Sequence, residues 1–443
     1  MADKVKAKVR KIDITWQNLE TKYNIVSAVK ENGIYKISAD EIKEFQEPRL
    51  AVKFDHEEDR PDLFVNNGLS ILPITRGDYI ISEINAYHTF GNNDSQIIYR
   101  SVPEYIKSLT ASSITSEAKA LNIAYISGIL EDFLEEKGLL PTVAGRMGSG
   151  SFVFQAVVGN TEELTPAIRV ENSQIEIDAA YEGHKSLSLV EAKMNLAENF
   201  LIRQLYYPFR TWHNLMDEKP VRPVFLIYSN SIFYLYEYAF TELANYNSLE
   251  LVKFRKYTLE DNSISRSEIR EVVASAKVKS NPPIQFPQAN DFPRVISLCE
   301  QLYLADGDVE SISEMYQFHA RQASYYADAA RYLGLATSTS DSKGSPYTLT
   351  TLGKKLWQLS YRERQLQFVK VMASYKVFRE SLDYYLATDE IPKTQTIVQF
   401  MVDANIAYTD GQNNVKTYSP STMKRRASTV QSWLKWVEQL ITK

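Results

Sequence analysis

The chain has 443 residues, 44% hydrophobic and 24% charged, with a net charge of −5. That is enough for two to four domains with their own cores, and it lacks the basic excess of a nucleic-acid binder unless positive charge is confined to a cleft. No apolar run approaches the roughly 18 residues that cross a bilayer, and no apolar stretch follows the basic start, so neither a membrane partner nor a secretory leader is expected. Cys299 as the single cysteine excludes internal disulfides and a cysteine-rich zinc site, and the five histidines are not closely paired; a reducing cytoplasm and an oxygen-bound metal, magnesium, are the expectation.

From Trp16 to about Tyr105 the pattern is that of a mixed domain, bounded at residues 1–110. Arg49, Lys53 and Arg76 flank its strand-like strings, where they either reach phosphates or are surface charges. Ala118 to Lys137 has helical spacing through Ile123, Ile126, Ile129, Leu130 and Phe133. Arg146-Met-Gly148-Ser-Gly150 then precedes an alternating strand; it is either a flexible backbone passing close to a phosphate or an ordinary turn.

Gln174 to Asp178 alternates, with Ile175 and Ile177 on one strand face and Glu176 and Asp178 on the other. Ser186 to Lys193 forms a second strand, its polar end Glu191-Ala192-Lys193. A hairpin about Gly183 brings Asp178 and Glu191 together with Lys193 beside them. Two hard oxygen ligands and an amine suit a divalent cation and water activation for phosphodiester attack. Met194 to Trp212 has helical spacing with Pro208 as its stop, and Val221 to Tyr228 is a buried-strand run. Tyr206 reads as a core aromatic.

Four prolines within residues 281–293 mark a linker. Beyond it, in residues 294–443, the chain turns helical: Ser311 to Phe318, then Arg321 to Leu335 ended by Gly334. A hairpin spans Ala336 to Thr351, and Leu352 opens another helix. Helix, helix, hairpin is the winged-helix order, which puts Arg321, Gln322, Ser324 and Tyr325 at the groove-facing end of a recognition helix. A second such unit follows, with helices over Thr396–Asn405 and from Ser419, which caps with Pro420 in the first turn. Five basic residues and no acid lie between Lys416 and Lys435. Lys424, Arg425 and Arg426 there are either a DNA-binding cluster or a solvated helix face.

Asp178, twelve residues, then Glu191-Ala192-Lys193 resembles the D-(x)n-E-x-K core of the PD-(D/E)xK nucleases, most of all type II restriction endonucleases; Ile177 replaces the proline that often precedes the first acid. The strings Thr15-Trp16, Glu47 to Asp55 and Leu69 to Tyr79 also resemble the amino-terminal region of some of those enzymes. The resemblance implies an α+β chain: a mixed α/β nuclease core at residues 111–280, the amino-terminal mixed domain, and tandem winged-helix-like units. It implies that Asp178, Glu191 and the Ala192 carbonyl hold Mg²⁺, that Lys193 orients or deprotonates the attacking water, and that Gln204 helps orient it. It further implies Glu131 as a third carboxylate on the first core helix, with Glu135 and Glu136 solvated, and Arg146 as a DNA contact. The implied function is a sequence-specific double-stranded DNA endonuclease, possible as a homodimer, with a cognate DNA methyltransferase as genetic partner. A modification-dependent or repair endonuclease, and a non-catalytic DNA-binding regulator with a decayed nuclease fold, are the alternatives.

Overall fold

The computed structural model describes residues 10–91, 95–110, 114–216, 219–305, 323–338, 347–409 and 414–442. The chain is mixed α+β and divides into two compact units, Met1–Tyr228 with Ile232–Tyr257, and Ser229–Ser231 with Thr258–Lys443.

The first unit opens with helices α1 (Lys11–Tyr23) and α2 (Ile25–Asn32), and a small antiparallel sheet of β1 (Tyr35–Ser38), β2 (Ser70–Pro73) and β3 (Asp78–Ser82). These enclose their own core of Trp16, Leu19, Ile37, Phe54, Phe64 and Ile81. The Trp16 indole N–H is buried there and donates to the Ala51 carbonyl at 2.9 Å.

The rest of the unit is built on a seven-stranded sheet. Strands β4 (Tyr87–Thr89) and β5 (Ile97–Tyr99) come first, then helices α3 (Glu117–Ile126) and α4 (Ile129–Leu134). The spacing from Ala118 to Lys137 predicts one helix; the structure has two, because Gly128 turns into the left-handed region at φ +73°. Strands β6 (Leu140–Gly148), β7 (Ser151–Phe154), β8 (Ile168–Glu171), β9 (Gln174–Glu182) and β10 (Leu187–Lys193) follow. After β11 (Asn199–Leu201) come helix α5 (Arg203–His213) and strands β12 (Val221–Ser229), β13 (Ile232–Phe240) and β14 (Leu249–Thr258). The sheet order is β5-β14-β13-β12-β10-β9-β6. β6, β9 and β10 pair antiparallel in turn, and β10 pairs parallel with β12, so the chain crosses over between them by way of α5.

Two helices flank this sheet. Tyr181 of β9 stacks on Tyr125 of α3 with ring centres 5.3 Å apart. On the opposite face Leu187 and Leu189 of β10 share a core with Leu205, Tyr206 and Tyr207 of α5. Both tyrosines are fully buried, which makes Tyr206 the core aromatic its pattern suggests. The helix expected from Met194 begins only at Arg203, because Asn199–Leu201 pairs with β4 as a strand. Pro208 does not stop α5 but lies inside it. It removes one helical hydrogen bond, a loss outweighed by the burial of its aromatic neighbours.

The second unit is mostly helical: α6 (Arg266–Ser275), α7 (Phe292–Leu304), α8 (Ala323–Tyr332), α9 (Thr351–Leu356), α10 (Tyr361–Ala373), α11 (Lys376–Thr388), α12 (Thr394–Asp403) and α13 (Pro420–Leu440). Hairpin β15 (Ala336–Ser338) with β16 (Tyr347–Leu349) follows α8, and hairpin β17 (Ala407–Thr409) with β18 (Val415–Thr417) lies between α12 and α13. The unit begins at Thr258 and not at the prolines, because Ile269 and Val273 of α6 are buried in its core. The proline-rich stretch itself is no free linker. Phe286 is buried and stacks on Phe378 at 5.5 Å, and the Trp433 indole donates to the Ala289 carbonyl at 2.7 Å.

Candidate active site

A β-bulge makes the site. On β6 one residue separates Val143 from Gly145, whereas on β9 two separate their partners Ala180 and Ile177. The extra residue on β9 falls at Asp178–Ala179, and it lets Ile177 and Ala180 enter the same core. β9–β10 pairing ends at Ala179 opposite Val190. The Asp178 carboxylate is then turned onto β10, where it accepts the Ala192 N–H at 2.8 Å.

The turn of this hairpin is held from outside. Glu136 is buried and accepts the Lys185 N–H at 2.5 Å and the Ser186 hydroxyl at 2.7 Å. A Cβ at Gly183 would lie 2.2 Å from the Glu136 carboxylate, so only glycine fits. Glu136 therefore fastens the hairpin and is not solvated as expected, while Glu135 is exposed and pairs with Arg255 at 2.7 Å.

Glu191 and Lys193 point to the α5 side of β10. Lys193 donates to Glu191 Oε1 at 2.5 Å and to the Ala192 carbonyl at 3.2 Å. Gln204, in the first turn of α5, donates to the same Glu191 oxygen at 2.9 Å, and its own amide oxygen is buried without a protein partner. A shallow cleft beside Glu191 is lined by Glu176, Gln204, Leu205, Pro208 and Pro223.

Electrostatics identify a further member. Glu117, the first residue of α3, interacts with Lys193 and Asp178, and burial first, then Asp178, raises its carboxyl above the usual range. Burial, followed by Asp178, pushes Glu191 up to about 7 against the opposing pull of Lys193. Burial works against the charge of Lys193, but Glu191, Glu117 and Asp178 outweigh it and hold the ammonium firmly protonated. Glu191 is the carboxylate in contact with this ammonium, while Asp178 and Glu117 act on it from further off.

Of the expected residues, Asp178, Glu191, Ala192, Lys193 and Gln204 come together. Glu131 does not: it lies on α4, where its carboxylate accepts the Gly138 N–H at 2.8 Å and closes a turn. Glu117, on α3, is the acid within electrostatic reach of Lys193 and Asp178. Its signal in the sequence is Ser116-Glu117, a capping serine followed by an acid at the helix start, and Ser116 does cap α3. Among the described residues no group of three His, Cys, Asp or Glu side chains is arranged as a ready cation cage.

Arg146 lies within β6, half exposed, and meets Glu176 across the ladder at 3.3 Å. The glycine turn after it is closed internally, with Ser149 N–H donating to Ser173 and Asn172 N–H to Gly150. In the second unit Ser419 caps α13 and Pro420 occupies its first turn as expected. Lys424 and Arg425 are exposed. Arg426 is not part of that surface: it is 6% exposed, lies over the Tyr418 ring, and burial lowers its pKa. Tyr325 of α8 is exposed, whereas Arg321, Gln322, the Ser324 side chain and the expected 311–318 helix lie outside the described residues.

Among the described residues no helix is long and apolar enough to cross a membrane. No curated protein and no solved structure matches the chain. Three family models match it, each described as a domain of unknown function: DUF6996 over residues 13–81, DUF6997 over residues 82–258 and DUF7226 over residues 294–442.

Proposed function

We propose that this chain is a Mg²⁺-dependent endonuclease that hydrolyses double-stranded DNA at specific sequences, in the manner of the type II restriction enzymes of the PD-(D/E)xK superfamily. The observation that carries the reading is the bulge-directed convergence of Asp178 with Glu191, Lys193 and Gln204. It occurs where α3, β6, β9, β10, α5 and β12 come in that chain order, with α4, β7, β8 and β11 between them, and the sheet order is β6-β9-β10-β12, which agrees with the strand, hairpin, helix, strand order expected of such a core.

The donor set fits a divalent cation. Glu191 carries both of its hydrogen bonds on Oε1 and has a second oxygen, and Asp178 and the Ala192 carbonyl are adjacent, so two carboxylates and a carbonyl would hold it. When bound, Mg²⁺ supplies positive charge against the phosphate and acidity for a water. Lys193, in contact with Glu191 and the Ala192 carbonyl, stands where it orients the attacking water or helps to deprotonate it. Gln204 braces Glu191, and its unpartnered amide oxygen is a ready acceptor for an attacking water.

Tyr325, Lys424 and Arg425 in the winged-helix-like second unit are the DNA contacts in this reading, with Arg321, Gln322 and Ser324 beside Tyr325 in sequence. A cytoplasmic setting, a cognate methyltransferase and a homodimer, with one active site per strand, complete it. Incubation with unmodified and methylated plasmid in Mg²⁺ tests the proposal. Cleavage of the unmodified plasmid at fixed positions is expected; cleavage of methylated DNA alone favours a modification-dependent enzyme, and binding without cleavage a regulator. Asp178→Ala and Glu191→Ala should lower cleavage by orders of magnitude and leave DNA binding largely intact, and Ca²⁺ should support binding without cutting. Normal cleavage by either variant removes the site from this hairpin.

A further inference from the structure

The chain between Lys193 and Gln204 is not held by the nuclease core alone. Its strand β11 is clasped by the segment Lys53–Arg60 of the amino-terminal part. Asn199, 6% exposed, accepts the Glu57 N–H at 2.9 Å and donates to Glu58 Oε2 at 2.9 Å. Its carbonyl meets His56 Nδ1 at 2.8 Å, a contact that requires the proton on Nδ1. The Leu201 N–H donates to the Asp55 carbonyl at 3.1 Å. Behind the clasp, the Phe54 side chain is buried in the amino-terminal core, and its carbonyl accepts the Tyr87 hydroxyl at 3.0 Å. Asn199 thus satisfies both ends of its amide on one short segment, as a buried polar side chain must.

We propose that Lys53–Arg60 is a positioning element of the catalytic centre. Through Asn199 and the Leu201 N–H it fixes the path from Lys193 to Gln204. The inference rests on the metal-nuclease reading above. Within the segment Lys53 and Asp55 pair at 3.6 Å, next to the Asp55 carbonyl that holds the Leu201 N–H. The segment matched by DUF6996 is then no detachable module: it contributes to the active site through residues 53–60.

Terbium(III), bound to the full-length protein without DNA and read by sensitised luminescence, separates this proposal from its parent reading. Glu191→Gln should abolish terbium binding, whereas Asn199→Ala, which removes no cation ligand, should leave it within about twofold. In plasmid cleavage Asn199→Ala should lower kcat about tenfold or more with KM for DNA little changed, since it displaces Gln204 and not the DNA contacts. Asn199→Asp keeps the oxygen that Glu57 N–H needs and should fall between wild type and alanine. If Asn199→Ala does not fold, Asn199→Asp carries the test. An unchanged kcat in the Asn199 variants, with Glu191→Gln abolishing terbium binding, overturns the positioning role and leaves the metal centre standing. Undiminished terbium binding by Glu191→Gln overturns the metal centre and this proposal with it.

Discussion

Burial opposes the charge of Lys193, and the carboxylates of Glu191, Glu117 and Asp178 outweigh it. An ammonium held in that way is useful as a donor and a point charge, and its neighbours leave little room for a broader group. Lys193→Ala should therefore abolish cleavage. Lys193→Arg should not restore it, with a loss of about 10²-fold or more in single-turnover rate; near-normal turnover by the arginine variant would reduce Lys193 to a surface charge. Asp59 shows the opposite balance. Burial first, then the charges of Glu58 and Asp55, push its carboxyl up to about 8 in spite of the His56 N–H it accepts. Unfolding releases it to ionise near the ordinary value, so between about pH 4 and 8 the unfolded state binds fewer protons there than the folded state. Stability contributed at this position therefore falls as pH rises through that window, by at most about 1.4 kcal/mol per pH unit. Asp59→Asn should flatten this slope in urea unfolding curves measured from pH 5 to 8, and an unchanged slope would place the titration elsewhere.

At the level of elements, the β9–β10 hairpin is fastened at its turn by Glu136 and tied at its open end by the Asp178 bond to Ala192. Burial opposes the Glu136 charge, but the Lys185 and Ser186 N–H groups and the Ser186 hydroxyl hold its carboxyl below the usual range. Glu136→Ala leaves those donors unpaired and should destabilise the first unit by about 2–4 kcal/mol, read as a lower urea midpoint with an unchanged m-value. Gly183→Ala should cost a comparable amount, because the carboxylate it meets is already tied by two hydrogen bonds and cannot retreat. A denaturation midpoint indistinguishable from wild type for both would mean that the turn holds itself. Helix α13 divides in the same way between function and packing. Arg425 is on its exposed face and Arg426 on its buried one, so Arg426→Ala should lower the melting temperature while Arg425→Ala should not.

For the molecule as a whole, a net charge of −5 means that DNA affinity must come from local patches and not from a general field. If Lys424 and Arg425 meet phosphates, neutralising both should weaken binding to specific and unrelated DNA alike. It should also flatten the dependence of log K on log salt by about one to two units, at about 0.9 per lost contact. Unchanged affinity and slope would assign this face of α13 to protein contacts. The sequence patterns reached the α+β class, the hairpin about Gly183, the buried Tyr206 of α5 and the helix-hairpin order of the second unit. Each of these depends on neighbours in sequence. They missed the strand at Asn199–Leu201, the division of the α3–α4 helix and the packed state of the proline-rich stretch. In two of these a partner distant in sequence decides: β4 for the strand, and Trp433 and Phe378 for Phe286 and Ala289.

The candidate site divides along the same line. Asp178, Glu191 and Lys193 were legible because an acid within one strand faces an acid and an amine at the end of the next, and a glycine turn joins the two. Simple alternation, however, places Asp178 on the face opposite Ile177 and keeps that parity through Ala180. Only the pairing of β9 with β6 inserts the extra residue that breaks it, since a bulge is a mismatch between two strands and has no meaning for one. Glu117, Lys53 and Asp55 belong to the same class. Glu117 acts on Lys193, Asp55 on Glu191 and Lys53 on Glu117 through space, between segments far apart in the chain, and at that separation composition and spacing carry no distance information. Sequence determined which chemistry the hairpin can hold; the tertiary fold determined which charges surround it, because electrostatic strength depends on proximity and burial and not on order along the chain.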